Sequence, residues 1–282
     1  MLLPISHQHT IMRNHYGKKI VVCLTTIPSR VKYLERTLKS IQNQSIKPSS
    51  IELNIPHKYR RSDIGQIELA SIPEVFDTYR CEDYGPATKL IPTLERHRSS
   101  DTLIIYCDDD RIYHKDWIKR LVSTYQANPG CCIFEIGADL PYYWQLANKN
   151  WLYRLKRIAS LGVWRPKNKI HDVDIVQGFG GVLVTSQMFD SSVVPLPDCF
   201  SFIDDIWFSA KLAQAGIETK WSGALAHEVS QAVTENGNDI GRLNGSLIVT
   251  EFNGLGRNKL DSIGISFAIE NLGVWRQHIH MA

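Results

Sequence analysis

The apolar positions of the chain alternate between short continuous runs and amphipathic segments. KKIVVCLTT, at 18–26, is a β-branched apolar run of the kind that forms a buried strand. Apolar residues between 29 and 44 recur on one face of a helix, for which Ser29 is the candidate N-cap. SIELNIP, at 50–56, has the pattern of a second strand. A strand, a helix and a strand in such a short stretch form a βαβ unit, which predicts a parallel sheet.

The same alternation continues to residue 136. Pro86 is placed to open a helix, and a further helix is predicted near 115–126. TLIIYC, at 102–107, is so uniformly apolar that it predicts a strand buried on both faces. The remaining strands predicted in this part are EVFDTYR at 74–80 and CCIFEI at 131–136. Residues 18–136 therefore have the pattern of an α/β nucleotide-binding layer.

The regular pattern is lost between 137 and 172 and then returns. IVQGFGGVLVT, at 175–185, predicts a glycine-bearing strand, and IETKWSG, at 217–223, predicts a later one. Between them IDDIWFSAKLAQAG, at 203–216, predicts a helix that ends at its glycine. The tail beyond 228 is rich in Gly and Asn and receives no assignment. No linker interrupts the chain, so we expect one domain.

Composition narrows the functional classes. With 43% hydrophobic and 22% charged residues the chain is of ordinary globular composition, and a net charge of +3 gives no case for nucleic acid. No apolar run reaches the length of a membrane span, and the N-terminal residues lack the apolar segment of a signal peptide. The six scattered cysteines show no zinc-like spacing and fit a reducing compartment. We therefore expect an unexported, cytoplasmic protein.

Three adjacent carboxylates, Asp108, Asp109 and Asp110, follow the most apolar of the predicted strands. Such charges repel one another, so they stay ionised together only where water or a cation compensates. In extended backbone Asp108 and Asp110 point to the same side and approach one hard cation, while Asp109 faces elsewhere. The carboxyl ends of strands are also where open α/β sheets bind ligands. A solvated acidic turn is the alternative interpretation.

A second acidic pair, Asp204 and Asp205, opens the predicted helix at 203–216. The helix dipole stabilises carboxylates in the first turn, so a purely structural role is one interpretation. The aromatic and aliphatic neighbours of the pair favour another. Because partial desolvation raises the proton affinity of a carboxylate, the pair is a candidate for a general base.

These motifs, in this order, resemble those of glycosyltransferase family 2 and its relatives with the GT-A fold. The resemblance covers residues 18–228. The matching segments are VVCLTTIPSRVKYLERTLKSIQNQ, YCDDDRIYHKDWIKRLV, FGGVLVTSQMF and IDDIWFSAKLAQAG. The resemblance implies an α/β fold of the GT-A (Rossmann-like) type, with a mostly parallel central sheet flanked by helices in a single domain. The implied parts are an N-terminal extension (1–17), a nucleotide-binding part (18–136), an acceptor-binding part (137–228) and a C-terminal extension packing on the domain (229–282).

The resemblance also implies roles for individual residues. Asp205 would be the catalytic base and Asp204 its support, but Asp204 stands where the family has Glu, which leaves open which of the two is the base. Asp110 would be the principal metal ligand, with Asp108 against the ribose or in the metal sphere. His227 is a candidate metal or diphosphate ligand. The residues expected to surround the nucleotide are Thr25, Thr26, Pro28, Arg30, Lys89, Asp108 and Asp109.

The implied activity is an inverting, metal-dependent transfer of a sugar from a nucleotide diphosphate donor, a UDP-sugar, with Mn or Mg as the cation. The acceptor would be a glycan or a lipid-linked saccharide in cell-surface polysaccharide or lipooligosaccharide synthesis, with peripheral attachment to the inner face of the membrane left open. One alternative is a catalytically inactive carbohydrate-binding protein with the GT-A fold. Another is a nucleotidyltransferase with the same acidic metal site, although the sequence has no GxxxxGK[ST] phosphate loop.

The stretch 142–169 combines aromatic and basic residues. Aromatic rings stack on sugar faces, and cations pair with phosphates, so the composition predicts an acceptor-site flap or a surface that docks on anionic lipid. A solvated loop with a few rings packed into the core is the alternative.

Overall fold

The computed structural model of the chain describes residues 17–61, 64–141, 143, 173–242, 251 and 254–277. Within these residues a seven-stranded sheet forms the centre of the molecule. Its strands, in spatial order, are β10 (Thr219–Trp221), β6 (Cys132–Phe134), β9 (Val182–Val184), β4 (Thr102–Tyr106), β1 (Lys19–Thr25), β2 (Ser50–Pro56) and β3 (Asp77–Cys81). Neighbouring strands are parallel except that β9 runs antiparallel to both β4 and β6. The prediction of a mostly parallel α/β sheet is confirmed.

Helices cover the sheet, and short two-stranded pairings form its periphery. The α-helices of the described residues are α1 (Leu34–Gln42), α2 (Ile91–Arg96), α3 (Trp117–Ala127), α4 (Asp204–Gln214) and α5 (Arg257–Phe267), which continues as a π-helical turn, Ala268–Leu272. The short strands are β5 (Arg111–Ile112), β7 (Gly137–Ala138), β8 (Ile175–Val176), β11 (Gln231–Ala232), β12 (Thr234–Glu235) and β13 (Asn238–Asp239). None of these helices is both long and apolar enough to cross a bilayer.

The core lies between the central strands and the helices that cover them. Residues 20–24 of β1 are all fully buried, as are Ile104, Ile105 and Tyr106 of β4. A strand with helices on both faces buries every side chain, which is why these segments are continuous apolar runs instead of alternating patterns. The parallel arrangement brings the carboxyl ends of β1, β2 and β4 to one edge of the sheet.

Two local predictions were wrong. The segment predicted as one helix capped by Ser29 is a 3₁₀ turn, Pro28–Tyr33, followed by α1, and its N-cap is Ile27. Pro28 has a fixed φ and no backbone N–H, so it suits the first position of the turn, and Ser29 then falls inside it.

The glycine-bearing strand predicted at 175–185 is interrupted by a 3₁₀ turn at Gly178–Gly180. Gly181 then has a φ of +93°, and a Cβ on it would lie 2.3 Å from the Trp117 ring. The indole of Trp117 donates a hydrogen bond to the Gly180 carbonyl at 2.9 Å. Packing against Trp117 therefore bends the chain here, and only glycine fits the bend.

The C-terminal helix α5 packs against the start of α4. A Cβ on Gly264 would lie 2.4 Å from Ile203 Cδ1 and 3.1 Å from the Phe200 ring, so the two segments are in close contact. This contact places the first turn of α5 beside the acidic N-terminus of α4.

Candidate active site

A cavity of about 840 Å³ opens at the carboxyl ends of the central strands. Its volume is in the range of small-molecule sites, and its position is the one expected for ligands of an open α/β sheet. The residues that sequence analysis singled out and that line this cavity are Thr25, Thr26, Arg30, Lys89, Asp108, Asp109, Asp110, Asp204 and Asp205. Segments far apart in the chain thus converge on one space.

The three aspartates after β4 do not continue the strand, because Asp109 and Asp110 lie in a turn and not in extended backbone. The premise that Asp108 and Asp110 point to one side of an extended strand is therefore wrong. The phenol of Tyr113 accepts a hydrogen bond from the Asp108 N–H at 3.1 Å and donates one to the Asp108 carbonyl at 3.2 Å, which stabilises the turn.

Asp109 joins the loop after β1 to the loop after β4. Its carboxylate accepts hydrogen bonds from Thr26 Oγ1 at 2.6 Å and from Arg30 Nη1 at 2.8 Å. The Tyr59 hydroxyl donates to the Thr26 carbonyl at 2.8 Å. Asp109 is only 4% exposed, so its role is to hold Thr26 and Arg30 in place along the cavity.

Lys89 connects the two acidic motifs. Its ammonium is hydrogen-bonded to Asp108 and lies 3.1 Å from Asp204 Oδ2, and the residue is only 5% exposed. Burial raises the pKa of Asp108, but the Lys89 charge overcomes this, so the pKa is lowered overall. Asn54 donates to the Lys89 carbonyl at 3.2 Å and so fixes the residue from behind. Lys89 is thus the cation that holds the two acidic motifs together and favours the ionised form of Asp108.

Asp205 has a different environment from its neighbour. Its Oδ1 accepts a hydrogen bond from the Gly178 N–H at 2.9 Å, and no described residue donates to its Oδ2. Burial, followed by the charge of Asp204, raises the pKa of Asp205 to about 7. Asp204 is 4% exposed and paired with Lys89. Asp205 is therefore the carboxylate with an accessible oxygen and a proton affinity suited to base catalysis.

Asp110 has the features of a cation ligand. Its Oδ1 is buried and accepts no hydrogen bond from the described residues. Burial and the charges of Asp109 and Asp108 raise the pKa of Asp110 to about 7. The backbone of Gly241 packs closely against the other oxygen, since a Cβ at this position would lie only 2.6 Å from Oδ2.

No three His, Cys, Asp or Glu side chains converge into a ready-made metal site within the described part of the chain. Mg²⁺ is commonly held by one or two carboxylates together with substrate phosphates, without an all-protein cage. Asp110 fits a cation of that kind, shared with a phosphorylated ligand.

Pro28 and His227 are not among the residues that line the cavity. Pro28 opens the 3₁₀ turn that carries Arg30, so its position is structural. His227 is exposed in a turn in which Glu228 accepts a hydrogen bond from the Leu225 N–H at 2.8 Å. Glu228 also pairs with Arg120 of α3 at 3.2 Å, and this anchors the turn to that helix. The structure does not bring His227 to the site.

Several cavity residues were missed by the sequence analysis: Tyr59, Arg60, Asp83, Gln177, Asp239, Gly241, Arg257 and Asp261. Most belong to irregular loops or to the unassigned tail. Asn-Gly at 236–237 was an available signal, since this pair favours a tight hairpin turn and would have placed a hairpin just before Asp239.

The first turn of α5 adds a charged pair beside Asp205. Arg257 Nε donates to Asp261 Oδ1 at 2.8 Å, and both residues line the cavity. The nearby charges of Asp261 and Asp205 overcome the effect of burial and raise the pKa of Arg257. The aromatic and basic stretch predicted as a flap, 142–169, lies outside the described residues except for Tyr143. That residue lines the cavity, and its hydroxyl accepts a hydrogen bond from Gln177 at 3.0 Å.

No protein-family description and no curated protein sequence matches the chain. Solved structures do resemble it. TarS 1–349 of S. aureus in complex with UDP-GlcNAc matches with a TM-score of 0.50 and 11% identity over 82% of this chain and 62% of that chain. At this identity the likeness establishes the fold, which is that of the GT-A glycosyltransferases.

Two other similar structures are enzyme complexes. Glucosyl-3-phosphoglycerate synthase from Mycobacterium tuberculosis, with Mn²⁺, UDP-glucose and phosphoglyceric acid, has a TM-score of 0.49 and 14% identity over 92% of this chain and 81% of that one. The mannosyltransferase PcManGT from Pyrobaculum calidifontis, with GDP-Man and Mn²⁺, has a TM-score of 0.46 and 16% identity over 78% and 58%. The chain thus spans about three fifths of the length of the mannosyltransferase and of TarS 1–349.

Proposed function

We propose that the chain is an inverting, metal-dependent glycosyltransferase that moves a sugar from a nucleotide diphosphate donor, a UDP-sugar, to a hydroxyl group of a glycan or glycolipid. The observation that carries the proposal is the meeting of two acidic motifs in one cavity. Lys89 is hydrogen-bonded to Asp108 and lies 3.1 Å from Asp204, whose neighbour Asp205 faces the same space. A cation-binding carboxylate and a base in one cavity suit a donor with an anionic leaving group and an acceptor hydroxyl.

The role of base is assigned to Asp205. The Gly178 N–H fixes its Oδ1, so that Oδ2 accepts the proton of the acceptor hydroxyl. Asp204 is enclosed and paired with Lys89, so it supports its neighbour and keeps the pKa of Asp205 raised. These contacts favour Asp205 over Asp204 as the base.

The donor end of the cavity is assigned to the loops after β1 and β4. Asp109 holds Thr26 and Arg30 in place along this wall, and Asp110 would hold the cation. When bound, Mn²⁺ or Mg²⁺ neutralises the diphosphate leaving group. Attack on the anomeric carbon from the face opposite that leaving group, in one displacement, inverts the configuration.

The acceptor end is assigned to the residues around the first turn of α5. Tyr143 and Phe202 offer aromatic surface, and Gln177, Arg257 and Asp261 offer polar groups in the same cavity. Aromatic faces combined with hydrogen-bonding side chains suit the alternating apolar and hydroxyl surface of a sugar.

The cellular setting is part of the proposal. We place the enzyme in the cytoplasm, in cell-surface polysaccharide or lipooligosaccharide synthesis, acting on a glycan or a lipid-linked saccharide. The six cysteines are all free thiols, which fits a reducing compartment. The interior cavity, lined by acidic and basic residues together, suits a nucleotide sugar better than a nucleic acid.

The first test measures thermal unfolding with UDP, GDP, CDP and their sugars, each with and without Mn²⁺. A ligand present at a hundred times its dissociation constant stabilises the native state by about 2.7 kcal/mol. For a domain of this size the midpoint should rise by roughly 5–10 °C. We expect this rise with UDP and UDP-sugars, and only when Mn²⁺ is present.

The other outcomes of this test separate the alternatives. Stabilisation by sugars alone, with no response to any nucleotide diphosphate, would favour an inactive carbohydrate-binding protein. Stabilisation by nucleoside triphosphates, with pyrophosphate released on turnover, would favour a nucleotidyltransferase. Either result would contradict the proposed donor.

The raised pKa of Asp205 predicts the pH dependence of the reaction. A general base acts in its ionised form, so kcat/KM should fall as the pH drops below about 7, the pKa of this carboxylate. Each further pH unit should reduce the ionised fraction about tenfold. Initial rates at subsaturating acceptor between pH 5 and 9 measure this fall in kcat/KM, the acidic limb of the pH profile.

Asp204→Asn is the informative control for the pH profile. The charge of Asp204 is the second cause of the raised pKa after burial, so its removal should move the acidic limb to lower pH. A limb that keeps its position in this variant would indicate that another group titrates.

A further inference from the structure

The segment after β10 folds back over the acidic cluster. Strand β11 pairs antiparallel with β5, immediately after Asp110, and the Val233 N–H donates to the Asp110 carbonyl at 2.8 Å. The hairpin β12–β13 follows, and its turn residues Asn236 and Gly237 both have positive φ. This path places Asp239 in the cavity, on the side where Asp110 lies.

The hairpin is fixed from outside the cavity. Glu235, on its outer strand, accepts a hydrogen bond from the Tyr33 hydroxyl and one from Lys32 at 3.3 Å. Arg36 of α1 donates to the Thr234 carbonyl. The hairpin is therefore held by contacts that do not involve the Asp239 side chain.

Asp110 and Asp239 each bring one carboxylate oxygen close to Gly241, which has no side chain to keep them apart. A Cβ on Gly241 would lie 2.6 Å from Asp110 Oδ2 and 3.0 Å from Asp239 Oδ1. The Gly241 N–H donates to Asp239 Oδ1 at 2.8 Å and so orients that side chain. Two anionic oxygens turned toward one small space repel each other unless a positive charge joins them.

The basic residues nearby do not fully neutralise the pair. Arg30 Nη1 lies 3.1 Å from Asp110 Oδ2, but it is also hydrogen-bonded to Asp109. Arg242 lies 3.7 Å from Asp239 Oδ2, and its side chain is 75% exposed, so water screens this contact. Arg111 Nε lies 3.4 Å from Asp110 Oδ1 without forming a hydrogen bond, so this buried oxygen accepts no hydrogen bond within the described residues.

We infer that Asp239 is the second protein ligand of the divalent cation, beside Asp110, in the role that the sequence suggested for His227. This inference rests on the proposed function, because the nucleotide diphosphate supplies the remaining oxygen ligands. Carboxylates and phosphates form an all-oxygen set, which suits Mg²⁺ and Mn²⁺, whereas an imidazole ligand would favour softer ions such as Zn²⁺. The segment that follows the glycosyltransferase core thus completes its metal site.

The test is a titration of Mn²⁺ into the protein saturated with UDP. Binding is measured by calorimetry and by the electron paramagnetic resonance signal of Mn²⁺. Asp239→Asn removes one negative ligand but keeps an oxygen that accepts the Gly241 N–H. We expect the Mn²⁺ affinity to fall at least tenfold, since even residues that only support a metal ligand typically cost about 10–100-fold. His227→Asn should bind Mn²⁺ as the wild type does.

Glu235→Gln is the matched control for the hairpin. It weakens the contacts with Lys32 and Tyr33 on the outer side and leaves both cavity carboxylates in place. An equal loss of Mn²⁺ affinity in Glu235→Gln would show that hairpin anchoring matters instead of the Asp239 carboxylate, and would overturn the inference.

Two further outcomes separate this inference from the proposed function. Loss of Mn²⁺ binding in Asp110→Asn but not in Asp239→Asn would overturn the inference and leave the glycosyltransferase proposal standing. A wild-type UDP complex that binds no Mn²⁺ would overturn both.

Discussion

Asp205→Asn should lower the rate of sugar transfer by ~10²–10⁴-fold, the usual contribution of a general base. The amide keeps the shape of the side chain and can still accept the Gly178 N–H at its oxygen, but it cannot take a proton. The metal and nucleotide contacts belong to other segments, so donor affinity should be unchanged. Transfer rates at saturating donor, together with UDP and Mn²⁺ titrations of the same variant, measure both expectations.

Asp204→Asn is the control for this substitution and should cost less, because Asp204 is enclosed and paired with Lys89. Near-normal transfer by Asp205→Asn would remove that residue as the base. The anomeric configuration of the wild-type product is a separate check, since a product that retains the configuration of the donor would contradict a single displacement.

The central strands could be predicted from the sequence because a strand that is buried on both faces is a continuous run of apolar residues. SIELNIP was predicted as a strand at 50–56 and forms β2 over those residues. The interruption between β8 and β9 could not be predicted, because it depends on Trp117, a residue distant in sequence. The 3₁₀ turn at Pro28–Tyr33 is a similar case, in which a helical periodicity continues through a turn of another type.

The site could be predicted only where its residues are adjacent along the chain. Clusters such as Asp108–Asp110 and the pair Asp204–Asp205 stand out because adjacent carboxylates repel one another unless water or a cation compensates. Asp239 is a single acidic residue in a tail without periodicity, so only the pairing of β11 with β5 reveals its position. His227 was suggested by the family resemblance, but it does not line the cavity, and Glu228 pairs with Arg120 to anchor its turn to α3.

Lys89→Met should be the most destabilising of the substitutions considered for this site. The variant would leave Asp108 and Asp204 without the ammonium that now contacts both of them. Removing one partner of a buried ion pair typically costs about 3–5 kcal/mol, because the other charge stays buried and uncompensated. Chemical denaturation at pH 8 should show a loss of this size in the free energy of unfolding.

The loss should shrink at lower pH. The Lys89 charge is the largest influence that lowers the pKa of Asp108 against burial, so its removal should raise that pKa in the folded variant, where Arg111 and Arg30 still lower it. The folded variant then binds more protons than the folded wild type, so the difference in stability between the two narrows as the pH falls. Unfolding of Lys89→Met at pH 5.5 should therefore be closer to that of the wild type than at pH 8.

Lys211→Met separates this effect from the mere loss of a buried lysine. Lys211 is also 5% exposed, but its ammonium is hydrogen-bonded to the neutral groups of Ser192 and Gln214, and the nearest carboxylate, of Asp190, is 4.0 Å away on a largely exposed side chain. Its removal leaves no buried carboxylate without a partner. The loss in the free energy of unfolding should therefore be smaller than in Lys89→Met and should depend little on pH between 5.5 and 8. Equal losses in the two variants, with the same pH dependence, would mean that Lys89 only fills space. A large, pH-dependent loss confined to Lys89→Met would instead show that this ammonium keeps the two acidic motifs together in one site.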